Sequence, residues 1–190
     1  MTKKRIAVFA SGNGSNFEAI VKACNEGAVN AEVVLCVTDR PGAFVTQRAY
    51  RAAVPVVEFR PKDYPSKADF ETMLLSHLKE KEVDLICLAG YMRIIGETLL
   101  EAYPGRILNI HPSLLPAFKG ADAVGQAMAY GVKVFGVTVH YVDSSLDGGK
   151  IIAQAAISYE GTDRDDLEAL IHAREHILYA EAINKVLPTI

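Results

Sequence analysis

The sequence is poor in cysteine, and its three thiols, Cys24, Cys36 and Cys87, form an odd set with no motif spacing between any two. A disulfide framework or a paired-thiol site has nothing to build on. Cys36 and Cys87 stand inside the apolar runs 33–37 and 85–88, where a thiol acts as a small buried hydrophobe. An excess of charge of one sign is also missing. Twenty basic residues face 23 acidic ones, for a net charge of −3. That balance argues against a general binder of nucleic-acid backbones, which carries a basic patch, so any anion site must be local. No apolar run approaches the roughly 20 residues that span a bilayer. Met1–Arg5 leads into a strand-like segment without the apolar region of a signal peptide. The expectation is a cytoplasmic protein with neither nucleic-acid nor membrane partners. Internal repeats, low-complexity tracts and long linkers are absent too, so 1–190 reads as one domain.

What is present is an alternation of short β-branched runs with helical patterns. Ile6–Ala10, Ala31–Thr38, Val56–Phe59, Leu85–Leu88 and Ile107–Ile110 are short and apolar, as strands buried on both faces are. Between them 16–26, 43–53, 67–82 and 96–102 read as helices; in the third, Phe70, Leu74, Leu75 and Leu78 share one face. Two later strands, 134–142 and 151–158, flank a loop with Asp147-Gly148-Gly149. In the first of them alternation sets Val137, Val139 and Tyr141 against Thr138 and His140. A last helix begins near Thr162-Asp163 and runs towards Val186, with Pro188 as its stop. The fold class is α/β: a single open, mostly parallel twisted sheet with helices on both faces. Ligands in such sheets sit at the carboxyl ends of the strands.

Those strand ends carry the polar residues. Ser11-Gly12-Asn13-Gly14-Ser15-Asn16 joins the first strand to a helix, where small residues and free N–H groups suit a phosphate. The same residues also make an ordinary strand-to-helix turn capped by Ser15 or Asn16. A dinucleotide fingerprint needs a third glycine at position 17, which is Phe17, so a single phosphate fits better. Asn109 and His111 fall on one face at the end of the fifth strand, followed by Pro112 and Pro116. An amide N–H can stabilise a developing oxyanion and an imidazole can carry a proton near neutral pH. Asp147 reads either as a turn aspartate or as a carboxylate that orients a nearby imidazole. Residues 88–95 place apolar groups beside the Arg93 guanidinium, suited to a flat aromatic ligand with an anionic tail or to a packed helix.

One motif points elsewhere. His172-Ala173-Arg174-Glu175-His176 has the spacing of an inverted zinc-peptidase helix. Only fourteen residues follow His176, and Glu181 is the one acidic residue among them. A third ligand from further along is therefore poorly provided for, and no metal is expected. There is no G-x-S-x-G elbow, Walker A loop or C-x-x-C pair.

Together, residues 11–16, 88–95, 109–120 and 147–149 resemble the folate-dependent formyltransferases, in the branch that formylates phosphoribosylglycinamide for purine synthesis. The likeness covers nearly the whole chain, and 109–116 is its most specific stretch, shared with formyl-folate hydrolases. The resemblance implies a Rossmann-like formyltransferase fold and 10-formyltetrahydrofolate as co-substrate. Asn109, His111 and Asp147 would be catalytic, and Gly14, Ser15 and Asn16 would hold the substrate phosphate. Glu175 would contact the substrate near its glycinamide and ribose, which gives the 172–176 segment a role without zinc. Met92, Arg93, Ile94 and Ile95 would line the folate pocket, with Asp143–Asp147 as its other wall and Lys67, where relatives carry arginine, near the folate tail. A lysine there loses bidentate pairing. The partners implied are the ribonucleotide and the reduced folate, with the protein a monomer or homodimer. The absence of further domains speaks against a tRNA-directed enzyme and a formyl-folate hydrolase. A hydrolase that releases formate from formyltetrahydrofolate without an acceptor stays open within the same chemistry, and a nucleotide-binding oxidoreductase and a catalytically silent binding module are the other readings of the α/β pattern.

Overall fold

The computed structural model describes residues 3–190; Met1 and Thr2, where the expected strand approach begins, lie outside the described residues. Seven strands form one sheet: β1 (Lys4–Phe9), β2 (Ala31–Thr38), β3 (Val56–Glu58), β4 (Leu85–Leu88), β5 (Ile107–His111), β6 (Val134–Tyr141) and β7 (Ile151–Ser158), in the order β3-β2-β1-β4-β5-β6-β7. The first five pair parallel with one another, and β6 runs antiparallel to both β5 and β7. Six α-helices complete the chain: α1 (Ser15–Asn25), α2 (Phe44–Arg51), α3 (Lys67–Glu80), α4 (Glu97–Ala102), α5 (Ala123–Tyr130) and α6 (Arg164–Val186).

The continuous apolar strands are explained by two cores. Ile6 and Val8 of β1 enter one, with α1 and α6, while Ala7 and Phe9 enter the other, with α3 and α4. In β4, Leu85 and Cys87 face the first core and Ile86 and Leu88 the second. A strand feeding both faces has no solvent side to mark with polar residues. Each fully buried Leu, Ile or Phe contributes about 1.5–3 kcal/mol relative to an exposed one. Tyr179 of α6 is wholly buried and its hydroxyl lies 2.9 Å from the Leu88 carbonyl and 3.2 Å from that of Leu108. It thereby anchors α6 beside the carboxyl ends of β4 and β5.

Two details differ from the sequence expectation. Leu75 is only half-buried, and the inward face of α3 is made by Phe70, Leu74 and Leu78 with the carboxylate of Glu71. Glu71 Oε1 accepts the Gly96 N–H at 2.6 Å at the start of α4. Burial raises its pKa above the usual carboxylate range. Helix α5 was not expected. It is short and rich in small residues, so it lacks a clear apolar stripe. Its ends are nonetheless marked by Asp122, which accepts from Gly125 N, and by Gly131, whose φ of 84° closes the last turn. At the other long helix, Asp163 accepts from the N–H groups of Asp165 and Asp166, 2.8 and 3.2 Å away.

The order of strands reverses between β1 and β4, and in open α/β sheets ligands sit beyond the carboxyl ends of the strands at such a point. No helix among the described residues is long and apolar enough to cross a membrane.

Candidate active site

The loop after β1 stands at this strand reversal. Gly14 takes the left-handed conformation (φ 79°) as the N-cap of α1, in place of the Ser15 or Asn16 cap. A side chain at Gly14 would meet Val45 Cγ2 at 2.5 Å, so both backbone angle and space require glycine. Among the described residues, none of the backbone N–H groups from Gly12 to Phe17 meets an acceptor; the first to do so is Glu18, to the Gly14 carbonyl. A helix N-terminus with open donors favours an anion. Asn16 is buried, donates from Nδ2 to Glu175 Oε2 at 2.8 Å and leaves its Oδ1 without a partner.

Glu175, 4% exposed, is thus brought to the loop from α6. The same Oε2 lies 3.0 Å from His172 Nδ1, and this hydrogen bond raises the His172 pKa. Burial lowers that of His176. The carboxylate that the zinc-like spacing singled out is therefore engaged with Asn16 and His172.

The loop after β4 is tied to the loop after β1. Ser11 donates its N–H to the Gly90 carbonyl at 3.1 Å and its Oγ to Asp39 Oδ1 at 2.5 Å, while accepting the Met92 N–H at 2.9 Å. Asp39 Oδ2 accepts Arg93 Nε at 2.9 Å. Asp39 is buried, so its charge is offset by a guanidinium that remains half-exposed. Nothing in the sequence pattern singled out Asp39. Met92 and Ile94 are exposed at 68% and 63% and face outward, whereas Ile95 is buried in the second core and anchors the segment from beneath. Lys67, at the start of α3, lies against Gly96 and Glu71 at the edge of this segment.

At the end of β5 the structure brings Asn109, His111 and Asp147 together and adds a residue that the sequence reading left out. In the β5–β6 register Asn109 faces His140 and His111 faces Thr138. His140 is 2% exposed; its Nδ1 donates to the Tyr141 carbonyl at 2.8 Å, so its Nε2 is an acceptor, 3.2 Å from Asn109 Nδ2. Burial lowers the His140 pKa, which keeps the ring neutral and the acceptor available. Asn109 thus has one amide proton held by His140 and one left to offer.

His111 is also buried. Its Nε2 lies 2.8 Å from the Phe118 carbonyl, so that nitrogen carries a proton, and its Nδ1 lies 3.6 Å from Asp147 Oδ2. Asp147, with φ 45°, is fixed by the Gly120 N–H at 2.8 Å and stands 3.8 Å from His140 Nε2. His111 thus has its Nε2 proton held by the Phe118 carbonyl and its Nδ1 turned towards the Asp147 carboxylate. The segment between them is held firmly. Thr138 Oγ1 donates to the Ser113 carbonyl (2.7 Å) and accepts the Leu115 N–H (3.1 Å), while Gln154 Nε2 donates to the Leu115 carbonyl (2.9 Å). Asp143 lies exposed beyond β6 and accepts from Ser145 N and Oγ, which hold its pKa below the usual value. Among the described residues no group of three or more potential metal ligands is clustered.

Comparison with known proteins bears on this geometry. A model of the formyl transferase family matches residues 4–183. The chain is 54% identical over 185 residues to the phosphoribosylglycinamide formyltransferase of Bacillus subtilis (strain 168), covering 97% of this chain and 95% of that protein. It is 41% identical over 184 residues to the trifunctional purine biosynthetic protein adenosine-3 of Drosophila melanogaster, spanning 14% of that protein's length. The crystal structure of glycinamide ribonucleotide transformylase 1 from Geobacillus kaustophilus superposes with a TM-score of 0.94 at 55% identity, covering 97% of this chain and 99% of that one. Sequence and structure agree across nearly the full length, and the chain belongs to the formyl transferase family.

Proposed function

We propose that this protein transfers the formyl group of 10-formyltetrahydrofolate to the primary amine of 5'-phosphoribosylglycinamide, as a cytoplasmic enzyme of purine synthesis. One observation carries the reading. A neutral, buried His140 leaves a single Asn109 amide proton free beside the His111–Asp147 pair, and the donor-rich Gly12–Phe17 loop follows β1 at the same carboxyl edge of the sheet.

The reaction forms a bond from the substrate nitrogen to the formyl carbon and breaks the bond from that carbon to folate N10, with one proton passing from the amine to N10. The free proton of Asn109 meets the oxyanion that develops on the formyl oxygen, where a preorganised donor acts most strongly. Asp147 faces His111 Nδ1 and orients the ring; His111 Nε2 presents its proton to the reacting centre once the Phe118 carbonyl releases it. Asp147 then assists the passage of the proton to N10. Gly14, Ser15 and Asn16 bind the substrate phosphate, and Glu175 orients its glycinamide and ribose. On the folate side, Met92, Ile94 and the backbone at Ile95 form one wall and Asp143–Asp147 the other, with Arg93 and Lys67 near the anionic tail.

The test is consumption of 10-formyltetrahydrofolate by the purified protein, with and without the ribonucleotide, in the presence of chelator. Tetrahydrofolate formation that depends on the ribonucleotide is the expected result. Formate release without it identifies a hydrolase, and no consumption under either condition overturns the assignment.

A further inference from the structure

Helix α2 lies directly beneath the loop that follows β1. Val45 donates its N–H to the Gly12 carbonyl at 3.1 Å. One turn further along, Arg48 donates Nε to the Asn13 carbonyl at 2.9 Å and Nη2 to Asn13 Oδ1 at 2.8 Å. Its Nη1 pairs with Glu18 of α1, and its guanidinium lies over the Phe44 ring, 5.0 Å from the centroid. The Arg48 side chain is only 17% exposed, so this fork is largely shielded from competing water.

The planarity of the peptide unit gives these bonds a consequence. The carbonyl of residue 12 and the N–H of residue 13 share one plane and point in opposite directions, as do the carbonyl of 13 and the N–H of 14. With both carbonyls drawn towards α2, the N–H groups of Asn13 and Gly14 are turned away from it, and neither meets a protein acceptor among the described residues. Val45 holds the first plane through its backbone, and Arg48 alone holds the second. Asn16, buried with an unpartnered Oδ1, stands at the same loop.

We propose that Arg48 is a positioning residue for the substrate's phosphate. It never touches the phosphate; it fixes the Asn13–Gly14 peptide so that the loop recognises a dianionic phosphate monoester over a hydroxyl. This rests on the reading that the loop takes the phosphate of the amine substrate. An arginine is required because one planar fork meets two acceptors of the same residue at once, which a lysine ammonium does not reproduce.

The experiment compares kcat/KM for 5'-phosphoribosylglycinamide and for its 5'-hydroxyl counterpart at saturating 10-formyltetrahydrofolate. It uses the parent protein and Arg48→Met, Arg48→Lys and Glu18→Gln, with thermal melting followed by circular dichroism. The parent protein is expected to prefer the phosphorylated substrate strongly. Arg48→Met is expected to reduce that preference by about tenfold or more, through a higher KM for the phosphorylated substrate, the loss of two hydrogen bonds to one loop. Turnover of the hydroxyl compound and the KM for folate stay unchanged. Arg48→Lys falls between, and carries the test alone if the methionine variant does not fold. Glu18→Gln keeps the preference, since the bonds to Asn13 remain. If the parent protein shows no preference, the phosphate reading fails and the proposal with it. A parent preference that Arg48→Met and Arg48→Lys retain overturns the proposal while leaving that reading intact. Equal losses on both substrates also overturn it, because a merely structural role lowers both.

Discussion

Replacing His140 with leucine removes the one acceptor that Asn109 Nδ2 has inside the protein, while filling most of the space that the imidazole occupied. His140 is buried, and its Nε2 sits 3.2 Å from that amide. If His140 acts by orienting Asn109, the loss is that of one neutral hydrogen bond, about 0.5–1.5 kcal/mol. At about 1.4 kcal/mol per factor of ten, turnover falls roughly 2–13-fold. Asn109→Ala removes the proposed oxyanion donor itself and should lower turnover by about 10²–10³-fold. The decisive measurement is the double variant, in single-turnover assays with both substrates saturating. With Asn109 already gone, His140→Leu should cost almost nothing more, because its effect runs through the missing amide. Thermal melts of all four proteins separate a loss of orientation from a loss of fold. If the two effects multiply in the double variant, His140 acts independently of Asn109 and the reasoning fails. A single-variant loss beyond about a hundredfold refutes it as well, since that is the magnitude of a group acting directly on the reaction.

Thr138→Val keeps the shape of the side chain but leaves the Leu115 N–H and the Ser113 carbonyl short of a partner. It should cost about 1–3 kcal/mol in urea unfolding, and a change below about 0.5 kcal/mol, the scale of an ordinary surface substitution, would show that the loop is held otherwise. All three thiols are buried, and burial raises the pKa of Cys24 to about 11, of Cys36 to about 12, and of Cys87 higher still. A disulfide reagent at pH 8 should therefore titrate none of them quickly in the folded protein and all three in denaturant; rapid native labelling would contradict the packing. Burial holds His140 and His176 below the ordinary histidine value, so the unfolded chain takes up these protons first as pH falls below about 6.5. Their neutral folded forms lose stability in that window, whereas His172, raised by Glu175, gains it below about 6.5 and loses it as pH rises through its folded value. His140 thus contributes a loss of stability on acidification, so any drop in the urea midpoint between pH 7.5 and pH 5.5 should be smaller in His140→Leu than in the parent protein; an equal or larger drop in the variant would refute this.

The strands were legible because their burial is written in composition. Residues 6–9 and 85–88 need an apolar side chain at every position when both faces are covered, and no other element of that length shows the pattern. Helix α5 was hidden because an eight-residue helix of small side chains needs no apolar stripe to pack. The cap residues Asp122 and Gly131 were its visible trace, and a reading that weighed caps as heavily as periodicity would have found it. Leu75 was misplaced for a different reason. Helical spacing defines a face only to within a residue, and Glu71 occupies the inward position because its carboxylate is needed to meet the Gly96 N–H.

For the site, legibility divided along the line between residues that are chemically conspicuous and residues that hold them. Asn109, His111, Asp147 and the glycines at 12 and 14 stand at strand ends, where a reactive side chain or a tight turn is conspicuous in one dimension. Asp39, Arg48, Thr138 and His140 are ordinary polar residues of a loop, a helix and an alternating strand, and nothing local sets them apart. His140 gains its role only from the antiparallel register that sets it opposite Asn109, and Asp39 only from the strand order that brings residues 11 and 93 together. Even a perfect assignment of helices and strands would have missed both, because β5 and β6 are separated by the whole of the 112–133 connection and its length leaves their pairing open. Alternation in β6 separates two faces without saying what covers the polar one. Thr138 and His140 make the polar set of that strand, as a solvent-facing edge would, yet they are 0% and 2% exposed, Thr138 bonded to Ser113 and Leu115 and His140 set against Asn109 and Asp147. A buried polar set on a strand next to a sheet's own polar strand end is therefore the signal to seek. It marks an interior that the fold keeps polar at a cost, and in this chain that interior holds one proton of the Asn109 amide through His140.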